Sequence, residues 1–120
     1  MLEEEVAIFI RQRIKSVWAL EVLLHLREKS GPETAEALVR DLRSSPVIIE
    51  EVLASLFAGK LLAKQADGCH LFQPATPALA ALVERLAEGY RDFPVAVIQV
   101  IYAQASEIEK FANAFRLRKD

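Results

Sequence analysis

Cys69 and His70 stand side by side in this chain, and His25 is the other histidine. A Cys-His pair with a distant His suggests a metal site or an activated thiol. A structural zinc site needs more ligands at a recognisable spacing. A thiol nucleophile or redox sensor needs a lowered pKa. The spacing supplies neither, so Cys69 reads as a strand residue and His25 as a helix-edge residue. The carboxylate pairs Glu50/Glu51 and Glu107/Glu109 have no His, Ser or Lys placed to complete an acid–base constellation, and they read as solvated. The four glycines form no phosphate-cradling loop. The expectation is a non-enzymatic chain with no metal and no cofactor.

The remaining chemistry is that of recognition, and it gathers in one stretch, Arg43 to Leu62 (RSSPVIIEEVLASLFAGKLL). Ser44 and Ser45 offer side-chain oxygens as N-caps, and Pro46 suits a first helical turn. Ile49, Val52, Leu53 and Leu56 recur at helical spacing as a buried stripe. Gly59 is expected to end the helix in a left-handed conformation. Upstream, Thr34 to Leu42 reads as a shorter helix facing inward through Leu38, Val39 and Leu42. The tight turn Arg43-Ser44-Ser45 joins the two as a helix-turn-helix pattern. The outward positions of the second helix are then Ser45, Pro46, Val47, Ile48, Glu50, Glu51 and Ala54. The nearby cations are Arg40, Arg43, Lys60 and Lys64.

Other elements must hold this pair. From Glu3, Val6, Phe9, Ile10, Ile14 and Val17 follow in helical steps to about Lys29. Ser16 is placed to cap a fresh start, which leaves one bent helix or two. After Ser16 the segment carries more apolar residues than one face requires, so burial on two sides is expected. Past the helix pair, Leu61 to Gln65 and Cys69 to Phe72 flank Ala66-Asp67-Gly68, a hairpin signal. Thr76 and Pro77 start another helix with Leu79, Leu82, Val83, Leu86 and Tyr90 on one face. Residues 94–103 are apolar and β-branched, compatible with a buried helix or strand. Pro94 and the lack of a partner strand favour helix. Ser106 to Glu109 is a capping-box pattern opening a last helix with Ile108, Phe111, Ala112 and Phe115 on one face. Arg116, Arg118 and Lys119 read as its solvated end. Trp18, Tyr90, Phe93, Tyr102, Phe111 and Phe115 read as core and interface rather than as an effector pocket.

At 120 residues, with 52% hydrophobic and 27% charged residues, the chain has the composition of one folded domain with a helical extension. The expected divisions are an N-terminal arm over 1–15, a helix-turn-helix and hairpin domain over 16–74 and a helical extension over 75–120. One cysteine excludes an internal disulfide. The acidic start is unlike a signal peptide, and no apolar run is long enough to span a bilayer. A cytoplasmic protein without membrane association is the expectation. A net charge of −2 gives no general attraction to nucleic acid.

The order helix, helix, helix, β-hairpin resembles a bacterial winged helix-turn-helix transcriptional regulator of the broad MarR/PadR-like kind. The residues that carry the resemblance are ETAEALVRDL, the turn RSS, PVIIEEVLASL, FAGKLL and the DG-tipped hairpin, roughly Leu20 to Pro74. In such families a glycine follows a leucine and two or three variable residues, and precedes Leu and an aliphatic residue. Here Gly59 stands one position early. The resemblance implies a mainly α fold with a small β-hairpin, and N- and C-terminal helices that make a homodimer. It also implies DNA-binding transcription regulation, with the second helix in the major groove. Arg40, Arg43, Lys60 and Lys64 would then contact phosphates, and Ser44, Ser45, Val47, Ile48, Glu50 and Glu51 would face the ligand. Base reading draws on Arg, Lys, Asn and Gln, and this face offers a hydroxyl, two aliphatics and two carboxylates. The alternative reading is therefore a winged helix whose second helix binds a partner protein instead of duplex DNA.

Overall fold

Side-chain caps set four of the helix starts. Ser16, Thr34, Ser45 and Thr76 all lie in extended backbone. Each side-chain oxygen accepts from the N–H three residues on, at 3.1, 3.0, 3.3 and 3.1 Å respectively. Each cap satisfies a donor that the helix itself leaves unpaired, worth about 1 kcal/mol. The computed structural model describes residues 2–104. Its elements are α1 (Glu4–Arg13), α2 (Val17–Lys29), α3 (Ala35–Leu42), α4 (Pro46–Ala58), β1 (Leu62–Lys64), β2 (His70–Phe72) and α5 (Pro77–Asp92). Residues 94–104 form a further helix, so the apolar 94–103 segment takes the helical alternative. The last helix expected from Ser106, and the basic ending, lie outside the described residues.

The N-terminal helical stretch is two helices. Ile14 is extended, at φ −114° and ψ 95°, and fully buried. Ser16 then caps α2 as a separate start. Burying Ile14 at the break keeps both helices on one core.

The structure moves the organising role from α4 to α2. Ala19, Leu20, Val22, Leu23 and Leu26 of α2 are all buried, and α2 packs against α3, α4 and β2. On its other side Arg27 and Glu21 reach α5. Arg27 makes a two-point pair with Glu84 at 2.6 Å for both bonds, and the Tyr90 hydroxyl donates to Glu21 at 2.9 Å. The excess of apolar residues in α2 thus reflects cover from two directions by the chain itself. Each fully buried leucine contributes roughly 1.5–3 kcal/mol relative to exposure. One buried cluster includes Val6 and Ile10 of α1, Val83 and Leu86 of α5, and Val97 and Ile101 of the 94–104 helix. Arg85 of α5 clamps the start of α1, donating to Glu3 and, at 2.9 Å, to Glu5.

The hairpin forms as the Asp-Gly signal indicates. β1 and β2 are antiparallel, with Leu62 opposite Phe72 and Lys64 opposite His70. Gln65 N–H donates to Cys69 O and Gly68 N–H to Gln65 O, both at 2.9 Å. Gly68 takes φ +89°, a conformation that a residue with a Cβ adopts only under strain. Glu33 adds a strand-like bridge on the free side of β2, exchanging backbone bonds of 2.9 and 2.8 Å with His70. This third segment had no sequence signal.

The C-terminal end of α4 corrects the expectation for Gly59. Gly59 has φ −76°, an ordinary right-handed value, and Lys60 is the left-handed residue, at φ 65°. Leu61 N–H reaches back to Leu56 O at 3.1 Å, which makes Lys60 the turning residue of a helix-ending motif. Neither its backbone angle nor the space around it requires a glycine at 59. A Cβ there would lie 3.4 Å from Ser55 O and 3.8 Å from the Arg13 Cβ. The fold is mainly helical with one small two-stranded antiparallel sheet. Among the described residues no helix is long and apolar enough to cross a membrane.

Candidate functional site

Helical geometry gives α4 two faces of different character. Ile49, Val52, Leu53 and Leu56 pack inward. Val47, Glu50, Glu51, Ala54 and Phe57 repeat at three- and four-residue steps on the other face, and all are exposed. Val47 is 68% and Phe57 54% accessible, high for residues of that size. The hairpin stands beside this face and, together with Ala35 at the start of α3, closes a groove of about 420 Å³. Leu53, Ala54 and Phe57 give it an apolar side, Glu50 an acidic edge, and Lys64 and His70 the facing wall. Lys64 and His70 are directly opposed across the strands. Partial burial, aided by the Lys64 charge, pushes the His70 imidazole below its ordinary pKa. At neutral pH that wall therefore carries the Lys64 charge with a neutral ring beside it.

The ten residues singled out in the sequence separate into three groups. Val47, Glu50 and Glu51 are outward. Arg40, Arg43, Lys60 and Lys64 are exposed and ring the face, with Arg40 Nε held by Asp41 at 3.2 Å. Arg43 is itself the left-handed residue of the α3–α4 turn, at φ 53°. Ser44, Ser45 and Ile48 are corrections. The Ser44 Oγ is buried with no hydrogen-bond partner among the described residues. The Ser45 hydroxyl is committed to the Ile48 N–H. Ile48, the third residue of α4, is half-buried against the core on the flank of the Ile49–Val52–Leu56 stripe. The Ser44 Oγ is shielded, the Ser45 oxygen serves α4 as its cap, and Ile48 is only partly exposed.

Phe57 was missed. It falls three residues after Ala54 and seven after Glu50, so the same periodicity that marked Val47 and Ala54 also marks it.

Cys69 does not have the character of a nucleophile. Partial burial and the neighbouring Asp67 carboxylate raise its thiol pKa, favouring the protonated form at neutral pH. Asp67 is in turn occupied, accepting the Cys69 N–H at 3.0 Å, which holds its own pKa down. The structure also regroups the histidines. His25 meets Glu33 and Asp41 rather than Cys69 and His70.

Comparison with protein-family models, with curated proteins and with solved structures returns no match to this chain.

Proposed function

We propose that this chain is a non-catalytic regulatory module built as a winged helix-turn-helix of the MarR/PadR-like kind. In this reading α3, the Arg43-Ser44-Ser45 turn and α4 are the helix-turn-helix, and the β1–β2 hairpin is the wing. The partner of α4 is a protein. The observation that carries the choice is the groove between α4 and the hairpin, with exposed Val47 and Phe57 on a face whose charges are Glu50 and Glu51. Apolar anchors flanked by carboxylates suit an amphipathic segment with basic residues beside its apolar ones. The same two carboxylates repel a phosphate backbone. The place of action is the cytoplasm, in keeping with a single cysteine. The assembly is a homodimer through the outer helices, supported by the exposure of Ile8, Phe93, Val95 and Tyr102.

A second reading, DNA-binding transcription regulation, draws on a specific feature. Arg43, Lys60 and Lys64 are exposed around α4 and have no acidic side-chain partner among the described residues. A titration of random-sequence duplex at low salt separates the two readings. The protein-binding reading expects no measurable affinity, and gain of affinity when Glu50→Arg and Glu51→Arg are combined. Tight, salt-dependent binding by the wild type would establish the DNA reading in its place.

A further inference from the structure

We infer that His25, Glu33 and Asp41 form a binding site for a borderline divalent metal ion such as Zn²⁺. The three residues come from three segments: the middle of α2, the bridge that pairs with β2, and the last turn of α3. One ligating atom from each lies within 4.8 Å of the other two. His25 Nε2 is buried and has no hydrogen-bond partner among the described residues. Its nearest charged neighbour is Asp41 Oδ2 at 3.6 Å, too far for a hydrogen bond. A buried ring nitrogen without a hydrogen-bond partner, close to two carboxylates, is an arrangement that a cation completes.

The surrounding groups leave the ligating atoms available. Arg40 Nε occupies the other Asp41 oxygen, Oδ1, at 3.2 Å, and orients Oδ2 toward His25. Lys29 approaches Glu33 only at 4.0 Å. The Glu33 backbone is fixed by its pair of bonds to His70, which holds the base of its side chain beside His25 and Asp41. The His25, Glu33 and Asp41 side chains are 20%, 18% and 27% accessible. That is open enough for an ion to enter and sheltered enough for it to be held. Ligand bonds of 2.0–2.2 Å place neighbouring donor atoms about 3.3 Å apart in a tetrahedral shell. The His25–Asp41 spacing already matches to within a few tenths of an ångström, and a side-chain rotation of Glu33 closes the rest. One imidazole with two carboxylates suits Zn²⁺, Mn²⁺, Co²⁺ or Ni²⁺ better than the all-oxygen shell of Ca²⁺ or the thiolate set of Cu⁺. Water fills the remaining positions. The bound ion ties α2, the bridge and α3 together one helix behind the α4 face.

The test uses the full chain stripped with a chelator and titrated with Zn²⁺ by calorimetry. Co²⁺ is used in parallel for its visible absorption. Saturable binding of one equivalent per chain is expected, with a rise in melting temperature on addition of metal. Asp41→Asn and Glu33→Gln preserve shape, and each should weaken binding at least tenfold, a loss that even outer-shell changes produce. Cys69→Ser should leave binding unchanged. The inference is overturned if no saturable binding is seen, or if affinity survives in both Asp41→Asn and His25→Ala. It is equally overturned if His25→Ala shifts stability by the same amount with and without metal, the mark of an ion pair alone. The readout is metal affinity and involves no partner, so the outcome is independent of what α4 contacts.

Discussion

The two sides of α2 use their charged groups in opposite ways. On the α1–α5 side they are committed to one another. Arg85 holds Glu3 and Glu5, Arg27 holds Glu84 at two points, and the Tyr90 hydroxyl is bonded to Glu21. On the α4–hairpin side, Glu50, Glu51, Arg43, Lys60 and Lys64 have no side-chain partner among the described residues, and large apolar groups lie exposed between them. Surface pairs of the first kind hold an outer layer in register. Uncommitted charges around exposed Val47 and Phe57 suit the partner-binding surface proposed above. The contrast supports the proposed partner site on the α4 side and draws on no family resemblance.

The largest expected effect tests whether the exposed residues really lie outside the core. Leu23 is fully buried, and Leu23→Ala should cost about 2–5 kcal/mol. Phe57→Ala and Val47→Ala should each cost under about 1 kcal/mol, as surface changes do, while abolishing partner capture. Chemical denaturation of the three variants checks this. A loss for Phe57→Ala as large as that for Leu23→Ala would make the α4 face part of the core and remove the contrast.

Next in size is the contact that links α1 to the end of α4. Arg13 donates to the Gly59 carbonyl, one of the last acceptors of α4, and places positive charge at the negative end of the helix dipole. Arg13→Ala should cost about 1 kcal/mol, and Arg13→Lys should recover only part of it, since a lysine ammonium lacks the guanidinium geometry. Equal stability of all three proteins would show that α4 ends independently of α1.

A smaller effect of opposite sign is expected at Lys60. Left-handed backbone costs a residue with a Cβ about 1–2 kcal/mol, and glycine is free of that strain but loses more chain entropy on folding. Lys60→Gly should therefore stabilise by roughly 0.5 kcal/mol, visible as a small rise in denaturation midpoint. It should leave a protein partner's binding unchanged and weaken any DNA binding by the removal of one cation. This position also resolves the displaced glycine of the resemblance. The left-handed turn sits directly before Leu61-Leu62, where that pattern expects glycine, and Lys60 takes it here.

Local signals were legible in the sequence, and signals that depend on tertiary crossing were not. The caps at Ser16, Thr34, Ser45 and Thr76, the Asp-Gly hairpin and the inward stripe of α4 are each set within a few residues, where spacing alone decides the outcome. The central place of α2 was legible only as an excess of leucine and valine; which elements cover it depends on the path of the whole chain. The Glu33 bridge had no signal, because one residue paired on each side is shorter than any alternation pattern. His25, Glu33 and Asp41 are eight residues apart in turn, but they fall in three different elements, so their spacing carries no periodic signal. They meet only because α2 and α3 converge on the bridge. Ile48 was misread for a different reason: it lies at the flank of the buried stripe, one turn before Val52, where helical phase alone does not decide between core and solvent.

An effect of similar size concerns acid stability and belongs to the paired side. The hydrogen bond and charge of Arg27 hold the Glu84 carboxyl below its ordinary pKa of 4.5. Between the folded and unfolded values the unfolded chain binds more protons, so stability rises with pH across that window. The contribution is fully present above about pH 4.5 and is lost as the pH falls through the lower folded value. Glu84 is half-exposed, so after solvent screening the effect is about 0.5 kcal/mol. Glu84→Gln should lower the melting temperature slightly at pH 7 and flatten its decline between pH 5 and 3. High salt should bring the two proteins together by screening the pair. The double variant Glu50→Gln/Glu51→Gln should instead match the wild type at pH 7, because neither carboxylate has an intramolecular partner among the described residues to lose. If that double variant were the one destabilised at pH 7, the charges of the α4 face would be stabilising this fold rather than awaiting a partner.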